Sequence, residues 1–327
     1  MADSFEISSS SSTNYTNQEW NFKVTFINLD TNQADNQNKN LTGKVLIQQD
    51  KIAETIADVA KSGDNLVVAL KELSTKSFFS LTHVYYHDAS LTNGAGDNSY
   101  RYAGASADVN NYICLGSSET SCPADNLYRI IGVFDENNHG VAGEQLVKVI
   151  RSTSYGTYAW DTTNNNDWRN ASLNTVLNST FKTVKLSGIE DKIAEVKWKI
   201  SGTDEWLEVA KAFYISEMKY STAVIAKIGL MYASDYGFAT TQDYWTTELR
   251  SYDKAAKNKD WLYLGTNEWA LTPYSSSGRD AWVVQNSGRV TTFNVDNLNA
   301  VRPSFYLLSS VTYASGTGSL ENPIRLT

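Results

Sequence analysis

Residues 18–30, QEWNFKVTFINLD, alternate apolar and polar positions. Trp20, Phe22, Val24 and Phe26 share one face, which predicts a half-buried strand. A polar loop, TNQADNQNKN, leads to a second predicted strand in LTGKVLIQQ. Behind Asp50 as N-cap, Ile52, Ile56 and Val59 recur at helical spacing and predict a helix over 50–61. The run LVVALKEL fits a helix or a buried strand, and its periodicity does not separate the two. FFSLTHVYY, 78–86, predicts a strand. Residues 1–90 thus read as a small mixed α/β module or spacer.

From residue 91 the texture changes. A loop-rich stretch gives way to NLYRIIGVFD (126–135) and QLVKVIRSTSYG (145–156), a pair of strands around an Asn-His-Gly turn. DWRNASLNTVLNSTF (167–181) predicts a helix with Leu173, Val176 and Leu177 inward. TDEWLEVAKAFYISEM (203–218) is helix, or strand then helix. AKIGLMYASDYGFA (226–239) begins as a buried strand, and TTQDYWTTEL (240–249) reads as a short helix. Three stretches, 260–273, 280–295 and 301–309, predict strands or a meander. Eight of the nine Trp follow residue 150, and no fixed-period repeat is present. The chemistry-bearing part is therefore residues 91–327.

The 327 residues exceed one small core and suffice for two domains. The net charge of −8 argues against nucleic acid as a partner, since phosphate binding needs clustered Lys and Arg. No apolar run is long enough to span a bilayer. The opening MADSFEISSSSSTNYTNQEW lacks the basic start and apolar centre of a signal peptide. Met1-Ala2 reads as an expression start from which a native export or anchor segment was removed, and Ser8–Ser12 as a flexible lead-in. Cys114 and Cys122 lie eight positions apart across a Gly/Ser loop, which favours a disulfide over two free thiols.

Catalytic constellations are scarce. Of the three histidines, His83 and His87 have i,i+4 spacing but sit in a strand-like Tyr-rich stretch, and His139 lies in a turn. GxSxG, HExxH and phosphate-loop patterns are absent. Asp235, Asp243 and Glu248 could be drawn as a glycosidase pair, but capping and surface charge explain them more simply. DTTNNND (161–167) offers oxygen ligands at alternate positions without the Gly and terminal Glu of a calcium loop, so a solvated Asn-rich loop is favoured. No metal, no cofactor and no catalytic residue is expected.

Five stretches, DNSYRYAGASADVNNYICLGS, CPADNLYRIIGVFD, AKIGLMYASDYGFA, WLYLGTNEWALTP and AVRPSFYLLSSV with SGTGSLENPIRL, resemble a domain of exported Firmicutes surface proteins. Several of those proteins carry pilin-like or other membrane-anchoring N-termini. The closing pattern GRVTTFNVDNLN then VRPSFYL is similar to the end of C-type-lectin-like domains, including those diversified by retroelements in bacteria and phage. The resemblance covers residues 97–327. It implies an α+β chain whose C-terminal domain, 91–327, is C-type-lectin-like, with a final strand that returns to lock the domain shut. Arg302-Pro303 would stand at the entrance of that strand, where Pro is tolerated. A formylglycine-generating enzyme shares this frame, but its chemistry uses cysteine, and both cysteines here are assigned to one loop.

The strongest binding signal is local. Residues 267–299 carry Trp269, Tyr274, Arg279, Asp280 and Trp282, then Arg289, Asn294, Asp296, Asn297 and Asn299, amid Ser and Gly. Aromatic, Arg and Asn side chains together are the chemistry of binding faces. For Trp269 and Trp282 a core role is an equal alternative. The resulting expectation is an adhesin-like recognition protein, extracellular and anchored at a bacterial cell surface, without enzymatic turnover. It would bind a protein or glycan on another cell or host. The alternatives are a structural pilin or cell-wall subunit, and a carbohydrate-active enzyme.

Overall fold

A computed structural model describes residues 53–76, 82–204, 206 and 208–327. The chain divides into Met1–Gln49 and Asp50–Thr327, and all described residues belong to the second unit. The strands expected at 18–30 and 41–49 and the Ser run lie outside them. The described part of the helix expected at 50–61 holds one tight turn, Ile56–Asp58, so the i, i+4, i+7 spacing there does not produce an α-helix in that part.

The ambiguous run becomes helix α1 (Leu66–Thr75). Asn65 caps it by accepting from Val68 N, and Leu66, Val67, Ala69, Leu70 and Leu73 are buried. Strands β1 (Val84–His87), β2 (Ser99–Tyr102), β3 (Tyr112–Cys114) and β4 (Leu127–Phe134) follow. After the short helix α2 (Glu136–His139) comes β5 (Leu146–Arg151). Every residue of β4 and β5 is buried, the charged Arg129, Lys148 and Arg151 among their apolar neighbours included. The β4–β5 register shifts between Ile130 and Gly132, and on the other side β2 comes so close that a Cβ at Gly132 would lie 2.2 Å from Tyr100 O.

The middle of the chain contributes β6 (Gly156–Tyr158) and helix α3 (Ser172–Val176). A wide π turn, Leu177–Phe181, links α3 to α4 (Lys182–Lys185). Then come β7 (Val196–Lys199), α5 (Ala210–Met218), β8 (Ala223–Ala226), β9 (Ile228–Gly229), α6 (Ala233–Ala239) and α7 (Lys254–Lys257). The C-terminal quarter supplies β10 (Glu268–Pro273), β11 (Asp280–Val284), β12 (Val290–Asn294), β13 (Asn299–Val301), β14 (Ser304–Leu307), β15 (Tyr313–Ser315) and β16 (Arg325–Leu326).

Two sheets organise these elements. The larger has the order β1-β2-β4-β5-β14-β9, with β3 also on β4, and the second runs β12-β11-β10-β13-β6. The architecture is α+β. Consecutive strands β13 and β14 belong to different sheets, so Arg302-Pro303 is the crossover between them. Strand β14 lies between β5 and β9, inside the larger sheet. The tail then bridges back, pairing Thr312 with Asn65 and Ile324 with Ile113.

The boundary expected near residue 90 is corrected. Strand β1 pairs with β2 across it, Val84 with Tyr102 through His87 with Ser99, and α1 packs on the same sheet. The described residues between 53 and 90 therefore pack with the strands that follow them.

Seven tryptophans, Trp160, Trp168, Trp198, Trp245, Trp261, Trp269 and Trp282, are fully buried. Six of their indole N–H groups donate to backbone carbonyls, for example Trp282 to Thr203 O at 3.1 Å and Trp269 to Tyr158 O at 2.9 Å. A buried indole both fills volume and needs such an acceptor. Trp269 and Trp282 are accordingly core residues and not ligand anchors.

Candidate functional site

The hairpin β11–β12 carries four of the ten predicted binding residues, Asp280, Trp282, Arg289 and Asn294, and it divides them. Asp280 pairs with Asn294 at one end and Val284 with Val290 at the other. At about 3.3 Å per residue, five strand residues separate the ends by about 13 Å. Tyr274, Arg279, Asp280, Asn294, Asp296 and Asn297 cluster at the first end, and Arg289 stands at the second. Asn299 is buried on β13 opposite Tyr158, which removes it from the displayed set.

The first end is rigid and largely self-satisfied. The Asn166 amide donates to the carbonyls of Tyr274, Ser277 and Asp280 at 3.0, 2.6 and 2.8 Å. Trp206 Nε1 donates to Tyr274 Oη at 2.7 Å, and the Tyr274 ring meets Trp206 and Trp282 edge-on. Tyr274 is thus half-buried as a wedge between core rings. Arg279, Asp296 and Asn297 remain exposed.

At the second end a cavity of about 600 Å³ is lined by Arg250, Ser251, Tyr252, Asp253, Lys257, Ser287 and Arg289. Its volume falls in the range of small-ligand sites. Arg289 Nε donates to Arg250 O at 2.8 Å, which holds the guanidinium across the opening. Lys257 Nζ reaches Asn286 O at 3.3 Å and Tyr263 Oη at 3.4 Å. Among the described residues, Arg250, Lys257 and Arg289 form no ion pair. Asp253 is the one acid in the lining, and its carboxylate accepts from Ala256 N at the start of α7. Gly288, between the lining residues Ser287 and Arg289, has φ +95° and a would-be Cβ 2.9 Å from Lys257 Cβ. Tyr236 Oη fixes that turn by donating to Gly288 O at 2.8 Å. The arrangement concentrates three positive groups on a chain of net charge −8.

A second cavity, about 540 Å³, lies between the disulfide loop and the C-terminus. Its polar groups are already engaged. Arg325 donates to the carbonyls of Ser117, Glu119 and Thr120, and Lys192 to that of Thr327. The loop itself is closed by the Cys114–Cys122 disulfide, as the spacing predicts.

Other candidates resolve differently. Asp235 is buried, where surface charge was expected. It caps α6 by accepting from Tyr232 N and pairs with Lys148 and Arg101. Asp243 pairs with Lys259 at 3.0 Å, and Glu248 accepts from Ser251 Oγ. The three acids thus have three separate sets of partners. In 161–167, the Asp161 carboxylate is taken up by donors from Thr163, Asn165 and Ser172. Burial would raise its pKa, but the Thr163 hydroxyl and then the N–H groups of Ser172, Asn165 and Thr163 hold it down.

His87 is fully buried against Phe238 and Trp245. Its Nδ1 accepts from Ala95 N, and burial followed by Arg101 keeps the ring well below its usual pKa. His83 adopts positive φ beside Ala103 O, and His139 is buried at the end of α2. Among the described residues no three His, Cys, Asp or Glu side chains are placed to hold a metal ion. No helix there is long and apolar enough to cross a membrane.

No protein-family model, curated protein or solved structure matches the chain.

Arg289 is among the residues expected to bind, whereas Arg250 and Lys257 are not. Their signal is the basic spacing in LRSYDKAAK, 249–257, which carries no information on its proximity to a turn forty residues downstream.

Proposed function

We propose that this chain is a recognition protein of a bacterial cell surface that binds a protein or glycan in the extracellular space without turnover. A C-type-lectin-like frame would present the ligand site on loops at the ends of the β11–β12 hairpin. The reading draws on one observation above all: the cavity lined by Arg250, Lys257 and Arg289, with the Arg289 guanidinium fixed on Arg250 O. Exposed Arg279, Asp296 and Asn297 supply polar groups at the other end of the hairpin. The disulfide suits an oxidising compartment.

The test is a screen of glycans and peptides, acidic members included, against the wild type, followed by titration of any hit with Arg289→Ala and Arg250→Ala. A charge-assisted hydrogen bond contributes about 1.5–3 kcal/mol, so each variant should weaken binding by about tenfold or more. Undiminished binding by both variants would remove the cavity from the proposal.

A structural-subunit reading draws on Ile215, Tyr220 and Ile225, which are 55 %, 54 % and 62 % exposed along α5 and β8. Sedimentation of the full chain over a concentration series distinguishes it. Self-association that is lost in Ile225→Lys supports a subunit, and a concentration-independent monomer removes that reading.

A further inference from the structure

Lys148 lies on β5 and Asp235 in the first turn of α6, 87 residues apart in sequence. Lys148 Nζ is 2.5 Å from Asp235 Oδ2, and the two side chains are 1 % and 2 % exposed. The rings of Tyr232, Trp198, Tyr306 and Phe134 surround the amine, with centroids 4.5, 5.3, 5.6 and 5.7 Å away. A primary amine is thus pressed against a carboxyl group inside an aromatic box.

Two charges in such a place are expensive to keep, since both have lost their water and only their mutual attraction offsets it. Burial depresses the basicity of Lys148, and its pairing with Asp235 opposes that only in part. Arg101 does not need Asp235 for compensation. Its Nη2 pairs with Asp97 at 2.7 Å, while its Nη1 stands 3.4 Å from Asp235. Glu217 completes the cluster. Its Oε1 accepts from Thr272 Oγ1 at 2.6 Å and from Ser234 N, the residue before Asp235, and its Oε2 has no partner. Burial raises its pKa to about 7, so up to neutrality it adds no full negative charge to the site.

We propose that Lys148 and Asp235 are joined by an isopeptide bond that the folded protein forms on itself. The reaction is a condensation. Proton transfer within the ion pair gives a neutral amine and a neutral carboxylic acid. The amine lone pair attacks Cγ, and the new C–N bond forms a tetrahedral centre. One C–O bond then breaks, and the departing hydroxyl takes a proton from nitrogen and leaves as water. Lys–NH3⁺ and Asp–COO⁻ thus become an amide and one water, with no change of oxidation state and no co-reactant. Desolvation makes the lysine nucleophilic, and fixed contact replaces a bimolecular encounter. The product replaces a buried ion pair with a neutral amide and leaves the Arg101–Asp97 pair intact. It ties the larger sheet to α6 covalently and closes the chain between residues 148 and 235 against extension.

Denaturing mass spectrometry of the full chain, with its disulfide reduced, tests this directly. The wild type is expected at one water, about 18 Da, below its sequence mass, and digestion should yield a branched peptide joining Lys148 to Asp235. Lys148→Arg should have its full sequence mass. Asp235→Asn, if it folds, should condense with loss of ammonia, about 17 Da. A wild type at full mass overturns the proposal whatever the variants do. So does the loss of one water mapped to a succinimide at Asp235 with Lys148 free, or the same loss persisting in Lys148→Arg.

Discussion

Arg302 grips Glu268 with two parallel hydrogen bonds, Nε to Oε1 at 2.7 Å and Nη2 to Oε2 at 2.8 Å, and both side chains are buried. Glu268 opens β10 in the smaller sheet, and Arg302 lies in the crossover to β14 of the larger one. The pair therefore pins the point where the chain changes sheets. Burial raises the pKa of Glu268 while the guanidinium pulls it down. Removing one partner strands the other charge in the interior, at a cost of about 3–5 kcal/mol. Arg302→Ala or Glu268→Ala should each lower the unfolding free energy by that amount, read as a lower urea midpoint. The apolar double variant Glu268→Leu/Arg302→Met should recover a large share of it. A single variant with an unchanged midpoint would contradict the pinning role.

Much of this frame is legible in the sequence, because strands such as β4 and β5 are mostly apolar runs and α1 has its cap and spacing. What is hidden falls into two kinds. Buried charges are one: Lys148, Asp235 and Arg302 look like surface residues to any hydropathy pattern, since their partners are far away in the chain. Contacts across long separations are the other. The β1–β2 pairing erases a boundary that composition places near residue 90, and the Arg250–Arg289 contact joins two loops with no common motif. Trp269 and Trp282 show the same limit from the opposite side. An aromatic residue beside Arg and Asn has the composition of a binding face, and only the acceptors of its indole N–H reveal it as core.

The Cys114–Cys122 bond closes a short loop whose carbonyls also receive Arg325 from the last strand. On the chain-entropy account, a loop of this length stabilises the fold by about 2.5 kcal/mol. Cys114→Ser/Cys122→Ser should show that loss in chemical denaturation. Its hydrogen exchange should rise first at β15 and β16, which the loop anchors through Arg325. Uniform exchange in the variant would show that the loop is not coupled to the tail.

Glu217 sets a pH dependence with a definite sign. Burial, the largest influence, raises its pKa from an ordinary 4.5 to about 7. The folded chain therefore keeps a proton that the unfolded chain releases, and stability falls as pH rises from about 4.5 to about 7. At about 1.4 kcal/mol per pH unit the total loss is about 3 kcal/mol, and it levels off above the folded-state pKa. Asp97 acts in the opposite sense at the acid end. Burial alone would raise its pKa, but the Arg101 charge and the Ser99 hydrogen bond outweigh that and bring it down to about 2. Its contribution is present above about 3.8 and disappears as pH falls towards 2. Urea titrations of the wild type between pH 4.5 and 8 should show the decline, and Glu217→Gln should flatten it. A decline of equal slope in the variant would assign the effect to another group.

The two ends of the β11–β12 hairpin and its buried middle should separate in a paired experiment. Trp282 is fully buried against Phe213, Trp206 and Tyr274, so Trp282→Ala should cost about 3–5 kcal/mol of stability. Arg289 is exposed and spends one N–H on Arg250 O, so Arg289→Ala should change stability by less than about 0.5 kcal/mol. For a ligand found by screening, the order reverses. Arg289→Ala should weaken binding and reduce its salt dependence, because a cation leaves the cavity rim. Trp282→Ala should bind normally at temperatures where it remains folded. A Trp282→Ala protein that stays folded yet fails to bind, beside an Arg289→Ala protein that binds fully, would move the contact surface from the cavity to the Tyr274 end of the hairpin.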